Sequence, residues 1–393
     1  MGALSMTQTV DIESLRRSEF PLTESSTYLN HAGTGPLPRR HVAAASAFLA
    51  ACCEGKPPTT LAQSEIQLAA LRGRAGALMS AGAEDIAVLS HTTQALALVP
   101  LALDWQDGDE VITYEKDYPS IVFSLMRLRR LGVKLKFIPD RGGRFELEDL
   151  SALLSPRTRL ISLSLVNFVT GFRAPIEEIG ALCRARGIWL VVDAVQALGA
   201  IRVPARDLGA DILAAHGYKH LLSGYGVALC YCSPRARAEL DITIPAWPGT
   251  MSNADPSAML DYEAAVFTPD ARRFEPAVPN FAGLFGANES LQLLLDVGPA
   301  AIERRIFGFL DDLLPEIEGR GYRVVSSRRP AERSSLLTFA CPPGTDSAAL
   351  AKSLNERAVY CSLREGMIRL SPHFYNIAAD FERLLECLPA AGK

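Results

Sequence analysis

ISLSLVNFVTGF (161–172), IWLVVDAVQALGAI (188–201) and LGADILAAHGYKHLLSGYGVALCY (208–231) decide the fold. Each begins as an apolar run of strand length and ends on polar residues. Strands that are apolar throughout are buried on both faces, as in a parallel sheet covered by helices. Arg159–Leu165, Ile188–Asp193, Asp211–Ala215 and Gly226–Tyr231 therefore read as strands, with a helix over Ile176–Arg186. Upstream, Ile86–Ser90, Glu110–Tyr114 and Lys134–Ile138 repeat the strand pattern, and helices are expected over Thr92–Leu103 and Ser120–Leu131. This alternation predicts an α/β fold with a mostly parallel sheet.

Downstream the character changes. IPAWPGTMSNADPSAML (244–260) is rich in Pro, Gly, Ser and Asn and reads as a long loop. Phe281–Val297 and Ala300–Ile317 carry helical periodicity. Strands at Ser334–Ala340 and Gly366–Leu370 then alternate with helices at Ser347–Ala358 and Asp380–Leu388, which predicts a smaller α+β domain.

Composition narrows the function classes. The 393 residues are 48% hydrophobic and 21% charged, which excludes long-range disorder. The net charge of -4 gives no footprint for nucleic acid or an anionic membrane. The N-terminal stretch MGALSMTQTVDIESLRRSEF has no basic-then-apolar signal pattern, so a cytoplasmic location is expected. None of the eight cysteines forms a C-x-x-C pair. No P-loop or H-E-x-x-H motif occurs, and no G-x-G-x-x-G follows the first strand. No metal is expected.

In such sheets ligands bind beyond the carboxyl ends of the strands. Those ends carry Ser90-His91-Thr92-Thr93, Asp117-Tyr118-Pro119-Ser120, Asn167, Asp193 with Gln196, and His216-Gly217-Tyr218-Lys219. Asp193 closes an apolar strand, where a carboxylate needs a partner. It is either a helix cap or the partner of a protonated ring nitrogen. Lys219 is one of only seven lysines and the only one between 137 and 351. At a strand end opposite an aspartate, a lysine suits Schiff-base formation, which needs a deprotonated amine. Lysine plus aspartate is the pair that pyridoxal phosphate requires. Thr92 and Thr93 open a helix, either as a plain cap or as an anion site for a phosphate. Tyr118 precedes a proline, which holds it extended and lets its ring stack on a flat group.

These segments, with YLNHAGTGPLP (28–38), SHTTQALALV (90–99), DYPSIV (117–122), RRFEPAVPNFAGL (272–284) and MIRLSPHFYN (367–376), resemble the class V aminotransferase family over nearly the whole chain. The likeness leans toward its isopenicillin N epimerase-like and cysteine desulfurase-like branch. It implies a fold-type I pyridoxal-phosphate enzyme with a seven-stranded type of sheet. It also implies a segment 1–25 packing near the small domain, a large cofactor-binding domain over 26–280, and a linker helix with the small domain over 281–393.

The resemblance assigns roles. Lys219 forms the Schiff base, Asp193 pairs with the pyridine nitrogen, and Gln196 approaches the ring hydroxyl. Thr92, Thr93 and His216, with Thr250 from a neighbouring subunit, hold the phosphate. Tyr118 stacks on the ring, with Tyr218 beside the lysine. Asn167 meets the ring hydroxyl or the substrate, and Arg369 clamps the substrate carboxylate, with Asn30 and His31 nearby. A symmetric homodimer with shared sites follows, its loop 245–258 reaching the partner's site. Two departures bear on the reaction. Val278 stands where the family commonly has a phosphate-binding threonine, and Cys361 is the only cysteine near the position of a desulfurase nucleophile. The implied substrate is a small L-amino acid or an S-conjugated cysteine, handled by transamination or carbon–sulfur β-lysis. The alternatives are a cysteine desulfurase, an epimerase, a decarboxylating deaminase of an antibiotic pathway, or a cofactor-binding regulator.

Overall fold

Seven strands form the central sheet of the computed structural model, in the spatial order Ile86–Leu89, Ala228–Cys232, Ile212–His216, Trp189–Asp193, Thr158–Ser164, Glu110–Tyr114, Lys134–Ile138. All run in one direction except Ala228–Cys232, which is antiparallel to both neighbours. The structure describes residues 10–56, 61–246, 249–250, 266–276 and 279–389. Val278 and most of the expected loop over 244–260 lie outside the described residues.

The two-residue period of the strands sorts their side chains between two cores. Leu190 and Val192 face one, Trp189 and Val191 the other. This is why the central strands are apolar on both faces, as in Trp189–Val192, and why the polar residue that ends such a run lies at the sheet's carboxyl edge. The expected Asp211–Ala215 strand runs on to His216, which places that histidine at the edge. The expected helix Thr92–Leu103 is two short helices, Thr92–Leu96 and Leu98–Ala102. Pro100 has no N–H to give the carbonyl of Leu96, so a continuous helix would lose that bond.

The smaller sheet is antiparallel, in the order Ser362–Arg364, Met367–Leu370, Leu337–Ala340, Arg323–Val324. The N-terminal chain is tied to it. Thr27–Tyr28 pairs in parallel with Val359–Tyr360, and Asn30 bridges to Ser371. From the helix Ile12–Glu19, Arg16 forks onto the Asp380 carboxylate at 2.7 and 3.0 Å. Both partners are buried, so losing either would leave an uncompensated charge costing about 3–5 kcal/mol. A second buried fork joins Arg72 to Glu275, whose carboxylate also accepts the Val88 N–H at 2.9 Å. It pins the segment before Pro276 to the sheet, beside the site.

Candidate active site

The carboxyl edge of the large sheet encloses a cavity of 220 Å³ lined by His91, Thr92, Thr93, Tyr118, Ser120, Asp193, Val195, His216, Tyr218 and Lys219. Lys219 stands in the connection between Ile212–His216 and Ala228–Cys232. Its Nζ is 5.3 Å from the Tyr118 ring centre and 5.5 Å from that of Tyr218. Burial holds this amine below the usual lysine range, against the opposing pull of the Asp193 carboxylate.

Asp193 is buried and accepts the Val195 N–H at 2.8 Å. Burial raises its carboxyl above the usual range, and the charge of Lys219 only partly offsets this. Among the described residues no cation forms a salt bridge with it. A protonated ring nitrogen in the cavity would supply that missing partner.

At the opposite end, Thr92 and Thr93 begin a helix with His91 at the N-cap; the Gln94 N–H donates to the His91 carbonyl at 3.1 Å, while the N–H groups of Thr92 and Thr93 point out of the helix start. His216 Nδ1 accepts the Tyr218 N–H at 3.4 Å, which leaves the imidazole proton on Nε2. Burial and the neighbouring His91 push His216 down to about 4, so it meets the cavity as a neutral donor. Hydroxyls, helix-start N–H groups and a neutral imidazole together suit a phosphate.

Tyr118 is held from below by Asp117. The Asp117 carboxylate accepts the Tyr118 N–H at 2.7 Å and the Ser164 N–H and hydroxyl at 3.0 and 2.5 Å. The Tyr118 ring meets Phe168 edge-on at 5.2 Å. This wall separates the cavity from a larger one of 460 Å³ bordered by Asn167, Phe168 and Met367.

Three residues expected at the site carry buried polar atoms without partners: Asn30 Oδ1, Gln196 Oε1 and Arg369 Nη2. Gln196 Nε2 donates to the Ala32 carbonyl at 3.1 Å. Arg369 is 1% exposed; its Nε donates to Ser362 Oγ at 3.1 Å and its Nη1 to the Phe168 carbonyl. Burial and the charge of Arg364 disfavour its protonation, yet a guanidinium stays charged, so it calls for an anion. These three do not line the 220 Å³ cavity itself, but their unpartnered atoms and the unpaired Asp193 carboxylate fit a polar cofactor and an anionic substrate.

Two expectations change. Both ring nitrogens of His31 are engaged, Nδ1 with the Ser371 carbonyl at 2.8 Å and Nε2 with the Tyr375 hydroxyl at 2.7 Å. His31 is fully buried and ties the N-terminal chain to the Ser371–Tyr375 segment in place of contacting substrate. Asn167 donates to the Lys116 carbonyl at 2.9 Å and accepts the N–H groups of Val169 and Thr170. It shapes its own loop and borders the larger cavity instead of the smaller one. Thr250, expected to serve the site of a neighbouring subunit, bridges to Phe267 within its own chain.

Sequence reasoning set His91, Asp117 and Ser120 at strand ends without a role. Tyr225, stacked 4.8 Å from Tyr218, gave no signal beyond its flanking glycines.

The class V aminotransferase model matches residues 27–384. A probable cysteine desulfurase of Methanothermobacter thermautotrophicus is 25% identical, covering 95% of this chain and 96% of its own. Isopenicillin N epimerase of Streptomyces clavuligerus is 27% identical, with coverage of 95% and 97%. Among solved structures, a cystine C–S lyase in complex with cysteine persulfide superposes with a TM-score of 0.83 at 22% identity, covering 94% of this chain and 98% of that one.

Proposed function

This chain belongs to the class V aminotransferase family of fold-type I pyridoxal-phosphate enzymes, and from that premise we propose that it acts on a small L-amino acid or an S-conjugated cysteine by aminotransferase-like or carbon–sulfur β-lyase chemistry. One observation carries the reading. Among the described residues the cavity holds a single lysine, Lys219, buried opposite an Asp193 carboxylate that has no salt-bridge partner.

When bound, pyridoxal phosphate supplies an electrophilic aldehyde and a ring that withdraws electrons from the substrate Cα. The chain's own residues do the rest. The Lys219 amine, whose proton burial makes easier to lose, would attach the cofactor and then take and return the proton at Cα. Asp193 holds the proton on the ring nitrogen. Tyr118 fixes the ring plane. Thr92, Thr93 and His216 hold the phosphate, and Arg369 orients the substrate by its α-carboxylate.

The environment of Cys361 favours these chemistries over desulfuration. A persulfide-forming nucleophile must be an accessible thiolate. Cys361 is buried, and burial pushes its thiol up to about 12. Between it and Arg369 the chain makes a tight hairpin turn at Glu365-Gly366, with no loop to carry a sulfur into the cavity.

A second copy of the chain would complete the site. An apolar cavity of 360 Å³, lined in part by Leu98, Leu101, Ile244 and Phe274, shares His91 and Thr93 with the phosphate end. A homodimer seated there would bring Thr250 toward the neighbouring phosphate. The eight cysteines are free, which suits the reducing cytoplasm.

Borohydride trapping followed by peptide mass analysis tests the assignment. Cofactor mass is expected on Lys219, with no adduct and no turnover in Lys219→Ala. Turnover by Lys219→Ala at the parental rate would overturn it. Single turnover with S-methyl-L-cysteine separates the two chemistries. Pyruvate and methanethiol, with the cofactor still an aldehyde, identify a β-lyase; cofactor amine and a keto acid identify an aminotransferase.

A further inference from the structure

Arg369 has a second guanidinium beside it. In the hairpin of Ser362–Arg364 with Met367–Leu370, Ser362 pairs with Arg369 and Arg364 with Met367. Paired residues, and residues two apart, share a face of a sheet. Ser362, Arg364, Met367 and Arg369 therefore project to one side, as the bond from Arg369 to Ser362 Oγ shows. Met367 on that side lines the 460 Å³ cavity beyond the Tyr118–Phe168 wall. Arg364 is the diagonal neighbour of Arg369, a relationship that spans about 7–8 Å. The turn between them is rigid, with both Glu365 (φ 49°) and Gly366 (φ 72°) left-handed, so the spacing is set by the fold.

Arg364 is half-buried, and its one side-chain hydrogen bond runs from Nη1 to the Leu363 carbonyl at 2.8 Å. Among the described residues no carboxylate forms a salt bridge with it. Its charge reaches both Lys219 and Arg369 and disfavours protonation of each. Two guanidinium groups and an amine thus lie within electrostatic reach of one another, while a neutral amino acid brings one carboxylate. A guanidinium held without a counter-charge is the arrangement of an anion receptor.

We infer that Arg364 is a second anion-binding group of the substrate pocket, so that the substrate carries a negatively charged group at the end of its side chain as well as the α-carboxylate held by Arg369. The inference rests on the reading of Arg369 and Lys219 given above. It names the substrate class: an acidic amino acid, or a cysteine conjugate whose sulfur substituent ends in a carboxylate.

Calorimetric titration of the cofactor-loaded protein tests it. The probes are succinate, glutarate and adipate, each against the monocarboxylate of equal chain length: butyrate, valerate and hexanoate. At least one dicarboxylate is expected to bind about tenfold or more tightly than its monocarboxylate partner, the gain of one charge-assisted pair. Arg364→Met, which keeps an unbranched stem, should abolish that preference, and Arg364→Lys should restore part of it. Arg369→Met should weaken both acids of each pair.

Equal affinity within every pair, no binding of either acid, or a preference that survives Arg364→Met overturns the inference. Borohydride trapping on Lys219 in the same preparations separates the two levels. If trapping succeeds and the dicarboxylate preference is absent, Arg364 alone has been misread. If trapping fails, the cofactor assignment falls first.

Discussion

The backbone carbonyl of Lys219 occupies the place where a Cβ on Gly35 would lie. The two loops are locked by the Gly35 N–H, which donates to the Tyr218 carbonyl at 2.8 Å. Any side chain at 35 must push the lysine loop away from the cavity. Gly35→Ala is expected to cost about 1–3 kcal/mol through overpacking and to reduce turnover more than it reduces folded yield. Gly73, inside the helix Leu61–Met79, has open space at its Cβ position. Gly73→Ala should therefore be neutral or stabilise by up to about 1 kcal/mol. Urea unfolding of both variants checks the contrast, and equal effects would remove the steric argument.

Asp193 acts on Lys219 through charge. Its carboxylate raises the affinity of the amine for a proton, opposing the effect of burial. Removing that charge leaves burial and the two arginines unopposed. In the cofactor-free protein, Asp193→Asn should let Lys219 react with an acylating reagent at lower pH than the parent does. Peptide mass analysis of labelling against pH reads this. Turnover of the loaded variant should fall by about 10²-fold or more, since the ring nitrogen loses the group that keeps it protonated.

The Arg369 guanidinium is positioned by Ser362 and the Phe168 carbonyl and keeps Nη2 without a partner. A lysine at this position has a point charge but no fork. Arg369→Lys should raise KM by about 10–100-fold with a smaller change in kcat, the pattern of lost ground-state binding. A kcat loss at unchanged KM would mean that the arginine acts on the reacting bonds instead.

The sheet was legible because its strands other than the edge strand Lys134–Ile138 are buried on both faces and so read as largely apolar runs. Asp193 and Lys219 were legible because a lone lysine and a lone carboxylate stand just past such runs. Side-chain orientation was not. His31 takes its partners from Ser371 and Tyr375, some 340 positions away, and no local pattern announces that. Asn167 looked like a ligand residue because its hydrogen bonds to Lys116, Val169 and Thr170 exist only once the loop is closed. The split of the expected Thr92–Leu103 helix was readable in principle from Pro100, but the apolar period across it masked the missing N–H. The approach of Arg364 to Arg369 depends on hairpin register, which the linear order of residues does not show.

Histidine burial predicts the acid limit of stability. Burial lowers five of the six histidines, with His41, His216 and His373 near 4 and His31 and His220 well below the ordinary value. A group whose folded pKa is depressed binds protons preferentially in the unfolded chain, so its contribution to stability is lost as pH falls from about 6.5 toward 4. Four buried carboxyls act in the opposite sense. Asp117 is raised to about 6, and Asp193, Asp211 and Glu275 are raised as well, so their contribution is present at low pH and lost as pH rises through their folded values. Five against four leaves the histidines ahead, most clearly near pH 6, where the carboxyls are already losing their protons. Each unbalanced proton contributes up to about 1.4 kcal/mol per pH unit. Unfolding free energy measured in urea should therefore rise between pH 5 and 6.5. His41, which is bonded to Ser290 away from the cavity, gives the control. His41→Asn should flatten that rise, whatever it does to stability at pH 7, because asparagine has no proton to take up on unfolding. An unchanged slope in this variant would show that His41 titrates alike in the folded and unfolded chain.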